Sequence, residues 1–216
     1  MPTRDPSDRA FAARLRSPGT VVGMSALIAA GALAGWAGRH LLSRLRRGTA
    51  VPPGWCETGV TLAWTLVALR QPPGWWLPIP LALGWLAVVL SACDLRVHRL
   101  PDALTLPAYP IAAALLTVVA AHRPGVALGS VAGLVLLGGT YLVVRLISPP
   151  AMGAGDVKLA GALGAVVGAV SVPAVAGVVA VAAAFTLVGA SWRRAGAVAH
   201  GPAVLVPSWL VTLSWP

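Results

Sequence analysis

Six residues of this 216-residue chain are acidic, and three of them stand where charge meets long apolar sequence. Asp156 lies in Gly153-Ala154-Gly155-Asp156-Val157-Lys158, directly before the uncharged run Leu159 to Ser191. Asp94 closes another apolar stretch, Trp76 to Ala92, and Asp102 follows Pro101 a short way on. An acid touching a segment fit for lipid is costly, which makes it a functional candidate by default. Gly153 and Gly155 remove side chains beside Asp156, allowing a tight turn and the close approach of another backbone. Two carboxylates brought together in a partly dry site cannot both ionise easily, so the pair shares a proton. The ionised partner can take a proton from a water that attacks a peptide carbonyl. The protonated partner polarises that carbonyl and helps protonate the leaving amine. The plainer alternative is ion pairing, of Asp94 with Arg96 or Arg99 and of Asp156 with Lys158. Asp156 then caps a helix start.

The elements that carry these acids are set by composition. The chain is 57% hydrophobic and 10% charged, with mean hydropathy +0.81, against about 25% charged in soluble domains. It reads as an all-α, polytopic membrane helix bundle. Net charge is +10, but no basic block interleaved with aromatics follows a phosphate backbone, so no nucleic-acid partner is expected. The basic residues act instead as topology signals. Cys56 and Cys93 form no Cys-x-x-Cys pair and read as small packing residues, with no metal site.

Residues 1–18 form a polar tail, and 19–216 the membrane-embedded domain. Gly19 to Gly38 is a first span of about 20 residues, with Gly31 and Gly35 on a close-packing face. The cluster from Arg39 to Arg47 sets a short cytoplasmic loop at 39–55. Further spans are expected at Thr58 to Leu69, Trp76 to Ala92, Ala103 to Ala121 and Val126 to Ile147. Gly125, Gly129 and Gly133 form a small-residue stripe on the last of these. Leu159 to Ser191 divides into two spans near Ser171-Val172-Pro173, and Ala203 to Trp215 is the eighth. Trp55 follows a chain break at the interface, where tryptophan is at home, and Trp75-Trp76 close the outer turn. Arg39, Arg44, Arg46, Arg47, Arg96, Arg99, Arg145, Lys158, Arg193 and Arg194 then share the cytoplasmic side. Two crossings separate Asp94 from Asp156, so both acids reach the same face, each at a helix end. Asp102, after Pro101, reads as a structural acid at a helix N-terminus, and His98 as a solvated loop residue.

These two islands together resemble the prepilin peptidases, or type IV leader peptidases, a family of membrane aspartic peptidases. The resemblance lies in Asp94 followed by Leu100-Pro101-Asp102-Ala103-Leu104-Thr105-Leu106-Pro107, and in Gly153-Ala154-Gly155-Asp156-Val157-Lys158-Leu159. It covers roughly Trp76 to the C-terminus, and Pro52-Pro53-Gly54-Trp55-Cys56-Glu57 is similar to a piece of the family's N-terminal part. It implies that Asp94 and Asp156 are the catalytic pair. Gly153, Gly155, Lys158, Pro101 and Asp102 support them, and Lys158 anchors Asp156 or biases its charge. It also implies a bacterial inner-membrane enzyme that cuts the leader from pilin or pseudopilin precursors on the cytoplasmic face. Many members carry a large cytoplasmic domain with paired Cys-x-x-Cys motifs and also methylate the new N-terminus. Here the 39–55 loop is short and holds no cysteine pair, so peptidase activity without zinc or another cofactor is expected, without methyl transfer. His200-Gly201-Pro202 is loosely similar to the family's Pro-Phe-Gly-Pro.

Two other readings stay open on the residues alone. A small proton- or cation-coupled transporter would place its acids nearer mid-membrane than these helix-end positions. A non-catalytic subunit of a pilus or secretion assembly would not need Asp94 and Asp156 intact.

Overall fold

A computed structural model describes residues 18–149, 152–192 and 199–215. The polar tail, Pro150-Ala151 and Arg193-Arg194 lie outside the described residues. Among those described, all regular structure is helical. In chain order it comprises α1 (Pro18–Arg44), α2 (Trp55–Arg70), α3 (Pro78–Val97) and the one-turn α4 (Asp102–Thr105). Then follow α5 (Ala108–His122), α6 (Val126–Ile147), α7 (Ala154–Val170), α8 (Val172–Trp192) and α9 (Gly201–Val211). Eight of these have 11 residues or more and occupy the eight stretches read as spans. Taken alone, the segments Pro78–Val97, Asp102–His122 and Val126–Ile147 are long and apolar enough to cross a membrane. Large apolar side chains face outward all round the bundle, among them Leu128, Leu146, Ile147 and Leu187. That distribution suits a helical membrane bundle in lipid, where side chains on the outer surface are solvated by hydrocarbon.

Local chemistry explains the boundaries. Gly54 begins α2 with φ 90, a left-handed backbone that glycine adopts without strain. Its N–H donates to Glu57 Oε2 at 3.0 Å, while Glu57 Oε1 accepts from Arg39 Nε at 2.7 Å and so ties α2 to α1. Pro78 opens α3, where a missing N–H costs nothing. Helix α3 ends at His98, whose left-handed backbone (φ 50) lets its N–H donate to the Asp94 carbonyl oxygen at 2.9 Å. The apolar run after Lys158 breaks at Ser171, a single extended residue (φ −164), with Pro173 entering α8 in its first turn.

Small residues and tryptophans hold the bundle together. The most extensive helix pair is α6 with α7. A Cβ placed on Gly133 would strike the Gly164 carbonyl oxygen, and one on Gly129 the Gly168 carbonyl oxygen. The two backbones therefore touch, as small-residue faces permit in lipid. The stripe is shorter than its spacing suggested, because Gly125 has nothing within 4 Å of its Cβ position; it precedes α6 instead of lying on its packed face. Gly31 and Gly35 do pack against α2, at Thr61 and at Cys56-Glu57.

Trp76, at the end of the turn before α3, lies inside the bundle. It is fully buried, and its Nε1 donates to the Thr212 carbonyl oxygen at 2.9 Å. Trp209 Nε1 donates to the Pro80 carbonyl oxygen at 3.1 Å. The two indoles bind α9 to the start of α3, each giving its buried N–H a partner while filling apolar space.

Candidate active site

Asp94 and Asp156 come to the same end of the bundle from different helices. Asp94 lies in the last turn of α3, and Asp156 in the first turn of α7. Both are buried, with 5% and 8% of their surface exposed. They line one cavity of about 280 Å³, whose wall also includes Arg47, His98, Arg99, Leu100, Asp102, Gly153, Gly155 and Lys158. Parity along the chain predicted this meeting. Among the described residues the ion pairs are Arg39–Glu57, Arg47–Asp102 and Lys158–Asp102, and neither Asp94 nor Asp156 belongs to one. The pairing of Asp94 with Arg96 or Arg99, and of Asp156 with Lys158, is thus not what the fold contains.

Asp94 Oδ2 accepts a hydrogen bond of 2.8 Å from the Gly201 N–H, the first residue of α9. A Cβ on Gly201 would sit 2.9 Å from that oxygen and 3.2 Å from Asp94 Cγ, so only glycine lets the two approach. Asp156 Oδ1 is buried with no hydrogen-bond partner among the described residues. One carboxylate is held by a backbone donor; the other has a buried oxygen without a donor among the described residues.

The two motif glycines act through space near Asp156. Gly153 precedes α7 in extended conformation (φ −63, ψ 140), and a Cβ there would lie 2.6 Å from Asp156 Oδ2. Gly155 lies under Leu100, where a Cβ would stand 2.9 Å from Leu100 Cβ. The expected close approach is present, but it serves the carboxylate itself and the Leu100-Pro101 segment. Neither glycine needs a left-handed turn. Asp156 does not cap α7 either, since the N-cap is Gly153 and no side chain bonds there.

Lys158 and Asp102 differ most from expectation. Lys158 Nζ lies 2.9 Å from Asp102 Oδ1, and Arg47 Nη1 lies 3.2 Å from Asp102 Oδ2. Lys158 therefore anchors Asp102, not Asp156. Asp102 does open α4 after Pro101, but its carboxylate turns to cations on two neighbouring elements, and no side-chain bond caps that helix. His98 is exposed, as expected of a loop residue. Cys56 and Cys93 are buried free thiols, and among the described residues no three His, Cys, Asp or Glu side chains are grouped to hold a metal ion.

Behind Asp94 lies a polar group that the motifs did not single out. His200 Nε2 lies 2.8 Å from Tyr141 Oη on α6, and its Nδ1 lies 2.7 Å from Thr186 Oγ1 on α8. The available signal was the loose match of His200-Gly201-Pro202, which gave no partner for either residue.

Residues 81–190 match the family described as "Type IV leader peptidase family". The chain belongs to this family. The matched segment runs from α3 to α8 and contains Asp94, Asp102, Asp156 and Lys158, so the family resemblance and the cavity coincide. Among curated proteins, the chain is similar to the prepilin leader peptidase/N-methyltransferase of Aeromonas salmonicida. It is 35% identical over 113 residues, covering 51% of this chain and 38% of the relative. The protein of the same name from Aeromonas hydrophila is 31% identical over 154 residues, covering 68% of this chain and 53% of that protein. The chain thus spans about half or less of the length of the curated relatives it matches. No solved structure matches.

Proposed function

We propose that this family member is a membrane aspartic endopeptidase that removes the leader of prepilin-like precursors, with Asp94 and Asp156 as the catalytic pair. The observation that carries this reading is the pair of buried carboxylates on one cavity, neither of them in an ion pair among the described residues. Asp94, whose Oδ2 already accepts the Gly201 N–H, is suited to hold the negative charge and take a proton from water. Asp156, with Oδ1 free of any donor among the described residues, is suited to carry the shared proton and present it to the peptide carbonyl. That arrangement gives one base and one acid facing the same space, as a shared-proton dyad requires.

The cluster Arg39, Arg44, Arg46 and Arg47 at the C-terminal end of α1 and just beyond it, with Arg96 and Arg99 after Asp94, supports a cytoplasmic cavity by the positive-inside rule. A substrate whose scissile bond lies beside an apolar helix suits a cavity at the end of a lipid-embedded bundle. Only the peptidase step is proposed; the N-methyltransferase in the relatives' names is not carried over.

Co-expression with a panel of prepilin-like proteins tests the assignment, with the new N-terminus read by sequencing. Leader removal by the wild type supports it. Cation or proton flux into liposomes without cleavage would favour a transporter, and neither activity would favour a structural subunit.

A further inference from the structure

We propose that His200 is a positioning residue, which rests on the dyad reading above: tied through both ring nitrogens to Tyr141 and Thr186, it fixes the His200–Gly201 peptide whose N–H holds Asp94.

The hydrogen bonds determine how the ring is used. Thr186 Oγ1 donates its single proton to the Ala182 carbonyl oxygen at 2.8 Å, an acceptor that cannot reciprocate. Toward His200 the hydroxyl therefore accepts, and Nδ1 carries the proton. In the neutral ring Nε2 is then the acceptor, and Tyr141 donates to it. Burial holds His200 below its ordinary range, with the Asp94 charge pulling the other way, which agrees with a neutral ring. A half-buried imidazole with a donor and an acceptor on opposite sides, from α6 and α8, is held against rotation.

This ring sits one residue before the bond that matters. The His200 carbonyl oxygen accepts from the Ala203 N–H at 3.0 Å and starts α9. The peptide between His200 and Gly201 points its N–H at Asp94 Oδ2 at 2.8 Å. Three helices thus converge on one peptide plane: α6 through Tyr141, α8 through Thr186 and α3 through Asp94.

The test uses the full chain in proteoliposomes with a purified prepilin, comparing His200→Phe, His200→Gln and Thr186→Val at equal abundance. Loss of the anchors loosens a catalytic group without touching the substrate, so kcat for His200→Phe falls by about tenfold to a hundredfold while KM stays near that of wild type. His200→Gln, which keeps one donor and one acceptor, recovers most of kcat. Thr186→Val lowers kcat, and adding it to His200→Phe lowers it no further. Nitrogen NMR of the labelled ring, independent of activity, shows Nδ1 protonated and Nε2 bare, with that preference lost in Thr186→Val. Unchanged kcat in His200→Phe beside an active wild type, or a ring protonated at Nε2 alone, overturns this inference. A wild type that cuts nothing overturns the dyad reading first and this inference with it.

Discussion

Lys158 Nζ meets Asp102 Oδ1 at 2.9 Å, joining the two sequence motifs to each other without engaging either proposed catalytic carboxylate. Arg47, from the segment after α1, reaches the other oxygen of Asp102 at 3.2 Å. The acid that opens α4 is therefore a clasp at the cavity rim. It draws α7, α4 and the segment after α1 together, while among the described residues no cation pairs with Asp94 or Asp156.

Since this clasp is half-exposed, its loss is expected to be mild. Exposed ion pairs contribute little because water and salt screen them. Asp102→Asn and Lys158→Met should each lower cleavage by less than about tenfold, well short of the loss from removing a catalytic acid. The exchange Asp102→Lys with Lys158→Asp should restore part of the activity, measured as initial rate at equal protein abundance. Complete inactivity in Asp102→Asn would instead place that acid in the chemistry.

Gly201→Ala should be far more damaging than its size implies. The new methyl would fall 2.9 Å from Asp94 Oδ2 and 3.3 Å from its Cβ, so Asp94 must shift and its backbone donor is lost. Displacing a catalytic group by about 1 Å can cost on the order of a hundredfold in rate. Cleavage assays on variant protein that still inserts to wild-type levels should show that loss in kcat. A Gly201→Ala enzyme at wild-type rate would mean that Asp94 has another support.

Gly155→Ala should likewise impair the enzyme, by driving Leu100 away from the start of α7. The contact is side chain against Cβ, at 2.9 Å, so it can be relieved from the other side. Leu100→Gly, which removes that Cβ, in the Gly155→Ala background should recover activity relative to Gly155→Ala alone. Absence of any rescue would point to a need for glycine other than space.

His200 should make the fold sensitive to acid. Its ordinary value is 6.5, and burial lowers it in the folded chain. Protonation is therefore easier once unfolded. The stability contributed by the neutral ring is complete above about pH 6.5 and drains as pH falls through the depressed folded value. The melting temperature of the wild type should drop more steeply between about pH 7 and pH 5 than that of His200→Phe. Parallel profiles would show that His200 does not hold the neutral state.

The helices were legible wherever punctuation bounded an uninterrupted apolar run. Helix α6 is found at Val126–Ile147 as read, because Pro124-Gly125 and Ser148-Pro149 leave no ambiguity at either end. The break at Ser171 was also legible, since a polar residue two positions before a proline interrupts an otherwise uniform run. The convergence of Asp94 and Asp156 followed from counting crossings between them. What the sequence hid was pairing across distance. Lys158 stands two positions from Asp156, so local reading joined them, yet residues two apart on a helix do not face each other and Lys158 turns toward Asp102. Trp76 closes the turn after Pro72-Pro73-Gly74, and nothing local could show that its indole finds the Thr212 carbonyl oxygen far along the chain. Tyr141, Thr186 and His200 lie on three separate elements. No periodicity could bring them together before the fold did.

The decisive measurement is leader cleavage by purified enzyme in liposomes, comparing wild type with Asp94→Asn and Asp156→Asn. Each substitution keeps the side chain's size and removes its ability to exchange a proton. A shared-proton dyad predicts that the wild type cuts at one bond and that both variants lose at least about a hundredfold to ten-thousandfold in kcat, while remaining folded and bound to the precursor. Near-wild-type cleavage by either variant would contradict the dyad and move the chemistry to another group on the same cavity.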